Sequence, residues 1–126
     1  MKRILVGDDE QNLRILYTRV LTRAGYVVEE AVNGTEAREK VYSGNFDGAV
    51  FDNNMGGPRG IDILQDLRKD GRQIPILICS SPLSETDGAE MMGVVERAGN
   101  ARYLEKPVDM ADLEKTSKEL FGDPNI

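Results

Sequence analysis

The chain has 126 residues, enough for one domain around one core and too few for two. Its net charge of −6 argues against a nucleic-acid surface, which would show a basic patch, and no apolar run approaches the ~18 residues of a membrane span. The charged and hydrophobic fractions fit a globular protein, the single cysteine, Cys79, excludes an internal disulfide and suits the cytoplasm, and the absence of histidine removes His-based metal sites and triads.

The first apolar run, Arg3 to Val6, follows Met1 too closely for a signal peptide and ends in Gly7-Asp8-Asp9-Glu10. Leu13, Leu16, Tyr17, Val20, Leu21 and Ala24 then recur at helical spacing, and Gly25 stops the helix. Tyr26–Val28 with Ala31-Val32 reads as a second strand. Asn33-Gly34 turns the chain, and Thr35 is the expected N-cap of a short helix to about Tyr42. Asp47 to Asp52 is an apolar run climbing to a single acid, followed by the polar, glycine-rich Asn53-Asn54-Met55-Gly56-Gly57. Ile61, Leu64 and Leu67 mark a third helix, closed around Asp70-Gly71. Ile74 to Cys79 is nearly all apolar, as a strand covered on both faces should be. Met91, Val94, Val95 and Ala98 share one face of a fourth helix that Gly88 and Gly93 weaken. Arg102 to Glu105 is a short fifth strand, Lys106-Pro107 follows, and a helix from about Met110 to Phe121 is capped by Asp109. A folded domain over residues 1–121 is expected, with 122–126 as a flexible tail that frays.

Strands alternating with helices at this spacing imply a doubly wound α/β fold, a parallel sheet with helices on both faces. The first, third and fourth runs are the most apolar and belong in the middle. The second and fifth suit the edges. The order 2-1-3-4-5, flavodoxin-like, satisfies both demands and the right-handed crossover rule.

In that fold the central strands end side by side, bringing Asp8, Asp9, Asp52 and Ser80 to one rim, and the fifth strand delivers Lys106 there. Three carboxylates at one point repel one another unless a hard cation joins them, and Mg2+ prefers a few carboxylates with waters and an incoming phosphate. Lys106 is a compact cation for a phosphoryl oxygen, Ser80 a hydroxyl donor, and Asp52 the carboxylate best placed as nucleophile.

These residues resemble the receiver domain of bacterial two-component response regulators. The signatures are Asp8-Asp9, Asn33-Gly34-Thr35-Glu36-Ala37, Phe51 to Met55 with Gly60, Pro75 to Ser81, and Tyr103 to Pro107. They fall in the family's order across nearly the whole chain. The resemblance implies that Asp52 is the phosphoacceptor, with Mg2+ held by Asp9, Asp52, the Asn54 carbonyl and, directly or through water, Asp8. It implies that Ser80 and Lys106 bind the phosphoryl group, that Ser80 and Tyr103 form a switch, and that Lys106–Pro107 is cis. It also implies a stand-alone signalling module that promotes its own phosphoryl transfer and autodephosphorylation. The donor would be a histidine kinase or histidine phosphotransfer protein. The response would be a changed surface on the fourth helix, fifth strand and fifth helix, read by a downstream protein. Neither nucleic acid nor membrane is an expected partner, and a monomer or weak dimer is expected.

Three positions depart from the family pattern. Gly56-Gly57 delays the usual proline to Pro58, which should loosen that loop; Pro82 stiffens the start of the next; and 25 residues separate Ser80 from Lys106, a few more than usual. Blander readings stand beside the sharp ones. Asp8 and Asp9 could simply cap the first helix, since acids favour helix N-termini, Tyr103 could be a static edge aromatic, Cys79 a small core residue, and Met91 and Met92 core and rim packing. Two other functions remain open: a phosphorylation-independent interaction module, and a small haloacid-dehalogenase-type phosphatase with its nucleophile on the first strand.

Overall fold

A computed structural model describes the chain from Met1 to Ile126, with Glu85 described by its backbone alone. Five strands alternate with five helices: β1 (Arg3–Gly7), α1 (Gln11–Ala24), β2 (Val27–Ala31), α2 (Gly34–Ser43), β3 (Gly48–Asp52), α3 (Gly60–Lys69), β4 (Ile76–Ser80), α4 (Glu85–Ala98), β5 (Ala101–Glu105) and α5 (Met110–Phe121). All neighbouring strands pair in parallel, in the order β2-β1-β3-β4-β5. This is the flavodoxin-like sheet expected from the pattern of apolar runs. Every residue of β3 and β4 is buried, whereas β2 alternates between exposed and covered positions, as an edge strand does.

The pleat sends alternate side chains into two cores. On one face, α1 and α5 cover Ile4, Val6, Val50, Leu77 and Cys79 with Tyr17, Leu21, Leu113 and Phe121. On the other, α2, α3 and α4 cover Leu5, Ala49, Phe51, Ile76 and Ile78 with Val41, Leu64, Leu67, Met91 and Val94.

The local differences from the sequence reading have physical causes. Tyr17 and Leu21 are fully buried, but Leu16 is 39% exposed. It lies about 80° from the centre of the apolar arc of α1, at the edge of what the sheet can cover. β2 runs unbroken through Glu29 and Glu30, whose carboxylates pair with Arg3 and Arg14 beside the strand. Helix α2 is capped by Asn33, not Thr35. Asn33 is extended (φ −157°), and its side chain accepts the Glu36 N–H, while Thr35 sits inside the first turn. Helix α4 is a full 14 residues despite Gly88 and Gly93, capped by Ser84, with Met91, Val94 and Val95 inward and Met92 on the rim. Asp109 caps α5 as expected, accepting the N–H groups of Ala111 and Asp112.

Past α5 the chain stays hydrogen-bonded to its end, where the Asn125 N–H donates to Asp123 Oδ1 at 2.9 Å and the Ile126 N–H to the Asp123 carbonyl at 3.3 Å. The Tyr26 hydroxyl donates to the Gly122 carbonyl, and the Lys2 N–H donates to the Pro124 carbonyl at 2.8 Å. Pro124 is buried, and Asn125 and Ile126 are exposed.

Candidate functional site

Each strand that reaches the site ends where its apolar run gives way to a polar residue. Asp8 follows the buried Val6 by two positions, Asp52 follows Val50, and Lys106 follows Leu104, and all three leaders belong to the α1–α5 core. The two-residue period therefore carries Asp8, Asp52 and Lys106 onto one side of the sheet. The Lys106 N–H donates to the Ser80 carbonyl at 2.8 Å, which extends the β4–β5 ladder to the lysine.

Asp8 and Asp52 are buried, at 0% and 6% exposure, while Asp9 is exposed. Oxygens from the three carboxylates lie within 4.8 Å of one another. The Lys106 ammonium stands 3.2 Å from Asp52 Oδ1 and 3.5 Å from Asp8 Oδ2. The second Asp8 oxygen accepts the Glu10 N–H at 2.9 Å, and Asn54 N–H lies 3.5 Å from Asp52 Oδ1. Glu10 is the N-cap of α1 and makes no side-chain cap bond. Asp8 thus does not cap α1 itself; one of its oxygens accepts the N–H of the capping residue, and the other faces Lys106.

Burial pushes the Asp52 and Asp8 carboxyls above the ordinary range; Lys106 opposes the rise at both and the Glu10 N–H opposes it at Asp8, while Asp8 adds to the rise at Asp52 and Asp9 to that at Asp8. Burial lowers the Lys106 ammonium, but Asp52 and then Asp8 outweigh it, and its pKa ends above the usual lysine value. Three acids against one ammonium leave excess negative charge in a partly dry pocket. That donor set, hard oxygens beside an open face, has the make-up of a Mg2+ site.

A pocket of about 280 Å3 opens on the cluster, lined by Asp9, Glu10, Asp52, Asn54, Ser81 and Lys106. Ser80 is not in that lining. It is wholly buried, and its Oγ has no hydrogen-bond partner among the described residues. Tyr103 is half-buried on the α3–α4 side, and its hydroxyl is likewise enclosed without a partner. The Lys106–Pro107 peptide is cis.

Sequence reasoning did not single out Glu10 and Ser81 as rim residues or Tyr17 as a neighbour of the site. The acids raise the pKa of the buried Tyr17 phenol, though less than burial itself does. Ser81 had a signal in its adjacency to Ser80, but residue type alone does not say which of two serines faces the opening. Cys79 is a buried core thiol, its pKa pushed up to about 12 by burial.

The loop from Asn53 to Arg59 reaches the pocket through Asn54. Asn53 anchors its base: its N–H donates to Cys79 O, its carbonyl accepts from Gly60, and its side chain accepts the Ile61 N–H. Met55 is 1% exposed, inside the core. Gly56 and Gly57 take φ of +81° and +74°, which favours glycine. Their freedom goes into a fixed shape, because the Gly34 N–H donates to the Gly56 carbonyl at 2.6 Å. The looseness expected of this loop is opposed by these anchors.

The family described as the response regulator receiver domain matches residues 4–118. The chain belongs to the response regulator receiver domains. It is 32% identical to the chemotaxis protein CheY of Pseudomonas aeruginosa over 94% of this chain and 95% of that one. It is 28% identical to the transcriptional regulatory protein TctD of Salmonella typhimurium over 94% of this chain but 51% of that one. The chain thus spans about half the length of several curated relatives it matches. Among solved structures it resembles the response regulator TrrA of Thermotoga maritima in complex with Mg2+ and BeF, with a TM-score of 0.80, 32% identity and coverage of 95% and 99% of the two chains. Receiver domains are signalling modules phosphorylated by histidine kinases. No helix among the described residues is long and apolar enough to cross a membrane.

Proposed function

We propose that this receiver domain accepts a phosphoryl group on Asp52 from a phosphohistidine of a histidine kinase or phosphotransfer protein. The observation that carries the reading is the Lys106 ammonium set 3.2 Å from Asp52 within a group of three converging carboxylates. Asp9, Asp52 and the Asn54 carbonyl would hold Mg2+, with Asp8 a direct or water-linked ligand. The bound cation supplies positive charge against the carboxylates and the phosphoryl oxygens.

Asp52 Oδ attacks phosphorus as the P–N bond to the donor imidazole breaks. The imidazole leaves neutral, because its other nitrogen keeps its proton. Lys106 stabilises the charge spread over the phosphoryl oxygens, and the buried walls on Asp8 and Asp52 keep bulk water from most of the site. The unpartnered hydroxyls of Ser80 and Tyr103 support a switch role. Ser80 gains a partner when it turns toward the phosphoryl group, and Tyr103 answers the space this vacates. The altered face on α4, β5 and α5 then signals by protein–protein contact.

The test is mass spectrometry after incubation with acetyl phosphate and Mg2+. One added phosphoryl group is expected on the wild type and none on Asp52→Asn. Wild-type protein that stays unmodified beside a working receiver control would refute the assignment.

A further inference from the structure

Gly34 opens α2 in a backbone region open to any residue, so conformational freedom does not explain a glycine there. Space does. A Cβ at Gly34 would stand 2.1 Å from the Pro58 carbonyl oxygen and 2.6 Å from that of Gly56, both backbone atoms that cannot rotate away. The Gly34 N–H meanwhile donates to the same Gly56 oxygen at 2.6 Å. Next to it, Gly57 packs on Thr35, where an added Cβ would meet Thr35 Oγ1 at 2.7 Å. The first turn of α2 is therefore a seat into which the 56–58 backbone is pressed.

The seat lies directly downstream of the acid site. Asn53 is fixed from below by its bonds to Cys79, Gly60 and Ile61, and Met55 is locked in the core. Asn54 bridges these two anchors, and its direction follows from how the backbone enters and leaves them. Gly56 carries the backbone directly out of Met55, so a shift at Gly56 turns the peptide planes around that buried side chain.

We infer that the α2 N-terminus, through Gly34 and its Asn33 cap, is a positioning element for the metal site: it sets where the Asn53–Pro58 loop lies and hence where the Asn54 carbonyl points. This rests on the proposed Mg2+ reading and adds a residue group, at the N-terminus of another helix, that the cation never touches. A methyl at Gly34 forces the loop back by roughly 1 Å to restore ordinary contact distances. Mg2+ demands near-ideal octahedral geometry and tolerates such displacement poorly.

The experiment is a Mg2+ titration of the unphosphorylated full chain by isothermal calorimetry. Gly34→Ala is expected to weaken binding on the order of 10-fold, the scale typical of lost support behind a metal ligand. Leu120→Ala, which thins the α1–α5 core away from the site, should leave affinity unchanged. If Gly34→Ala does not fold, Asn33→Ala frees the same turn without adding an atom, and a smaller loss of about 2- to 3-fold is expected. Wild-type affinity in the folded seat variant, or equal losses in that variant and Leu120→Ala, overturns the inference. Wild-type protein that does not bind Mg2+, or Asp52→Asn that binds it as tightly as wild type, overturns the parent reading instead.

Discussion

As the proposed phosphoacceptor, Asp52 combines two demands that pull against each other. A nucleophile must be ionised and must sit in a partly dry pocket, yet burial and the facing Asp8 raise its pKa. A carboxyl held above its ordinary value makes the folded state bind protons more tightly than the unfolded chain does. Its destabilising effect is therefore absent below the unfolded-state value near 4, grows as pH rises through the raised folded-state value, and stays complete above it. Asp8 contributes in the same direction. Without divalent cation, Asp52→Asn should melt roughly 4 °C above wild type at pH 7.5, with the gap closing toward pH 4, as followed by circular dichroism. A variant that melts lower at pH 7.5 would mean that the Lys106 pair outweighs the burial of the charge. Asp52 itself was plain in the sequence, since an acid ending a buried run has few structural uses. The burial of Ser80 beside the exposed Ser81 was not, because it depends on how the chain leaves β4.

At the scale of the element, the strand order was legible because β1, β3 and β4 are short, nearly continuous apolar runs, and such runs need cover on both faces. The details that escaped lie where the periodic signal fades. β2 is solvated along one side, so Glu29 and Glu30 broke the apolar run without breaking the strand. Asn33 and Thr35 are both good capping residues two positions apart, and the choice between them was made by the extended backbone at Asn33. Asn33→Ala should cost about 1 kcal/mol of stability in urea unfolding, and Thr35→Ala less than half of that. Equal costs would put the helix start back at Thr35. Helix α4 formed through two glycines because its Met91, Val94 and Val95 face is buried, which shows tertiary packing overriding propensity.

For the whole molecule, parallel pairing sorts the chain into two ends. All C-terminal strand ends gather the acids and Lys106, and the N-terminal ends gather Lys2, Tyr26 and residues 122–124. The hydrogen bond from Lys2 to Pro124 brings the two ends of the chain into contact, at the edge of the sheet away from the chemistry. That closeness makes the order of the sequence separable from the order of the fold. A short glycine-serine linker can join Ile126 to Met1, and the chain can be reopened at Gly71, which is exposed and has nothing within 4 Å of its would-be Cβ. The resulting permutant should fold, bind Mg2+ within about 2-fold of the native order, and begin its chain between α3 and β4. If it fails to fold while the linker alone is tolerated, then unbroken α3–β4 continuity is part of what assembles the domain.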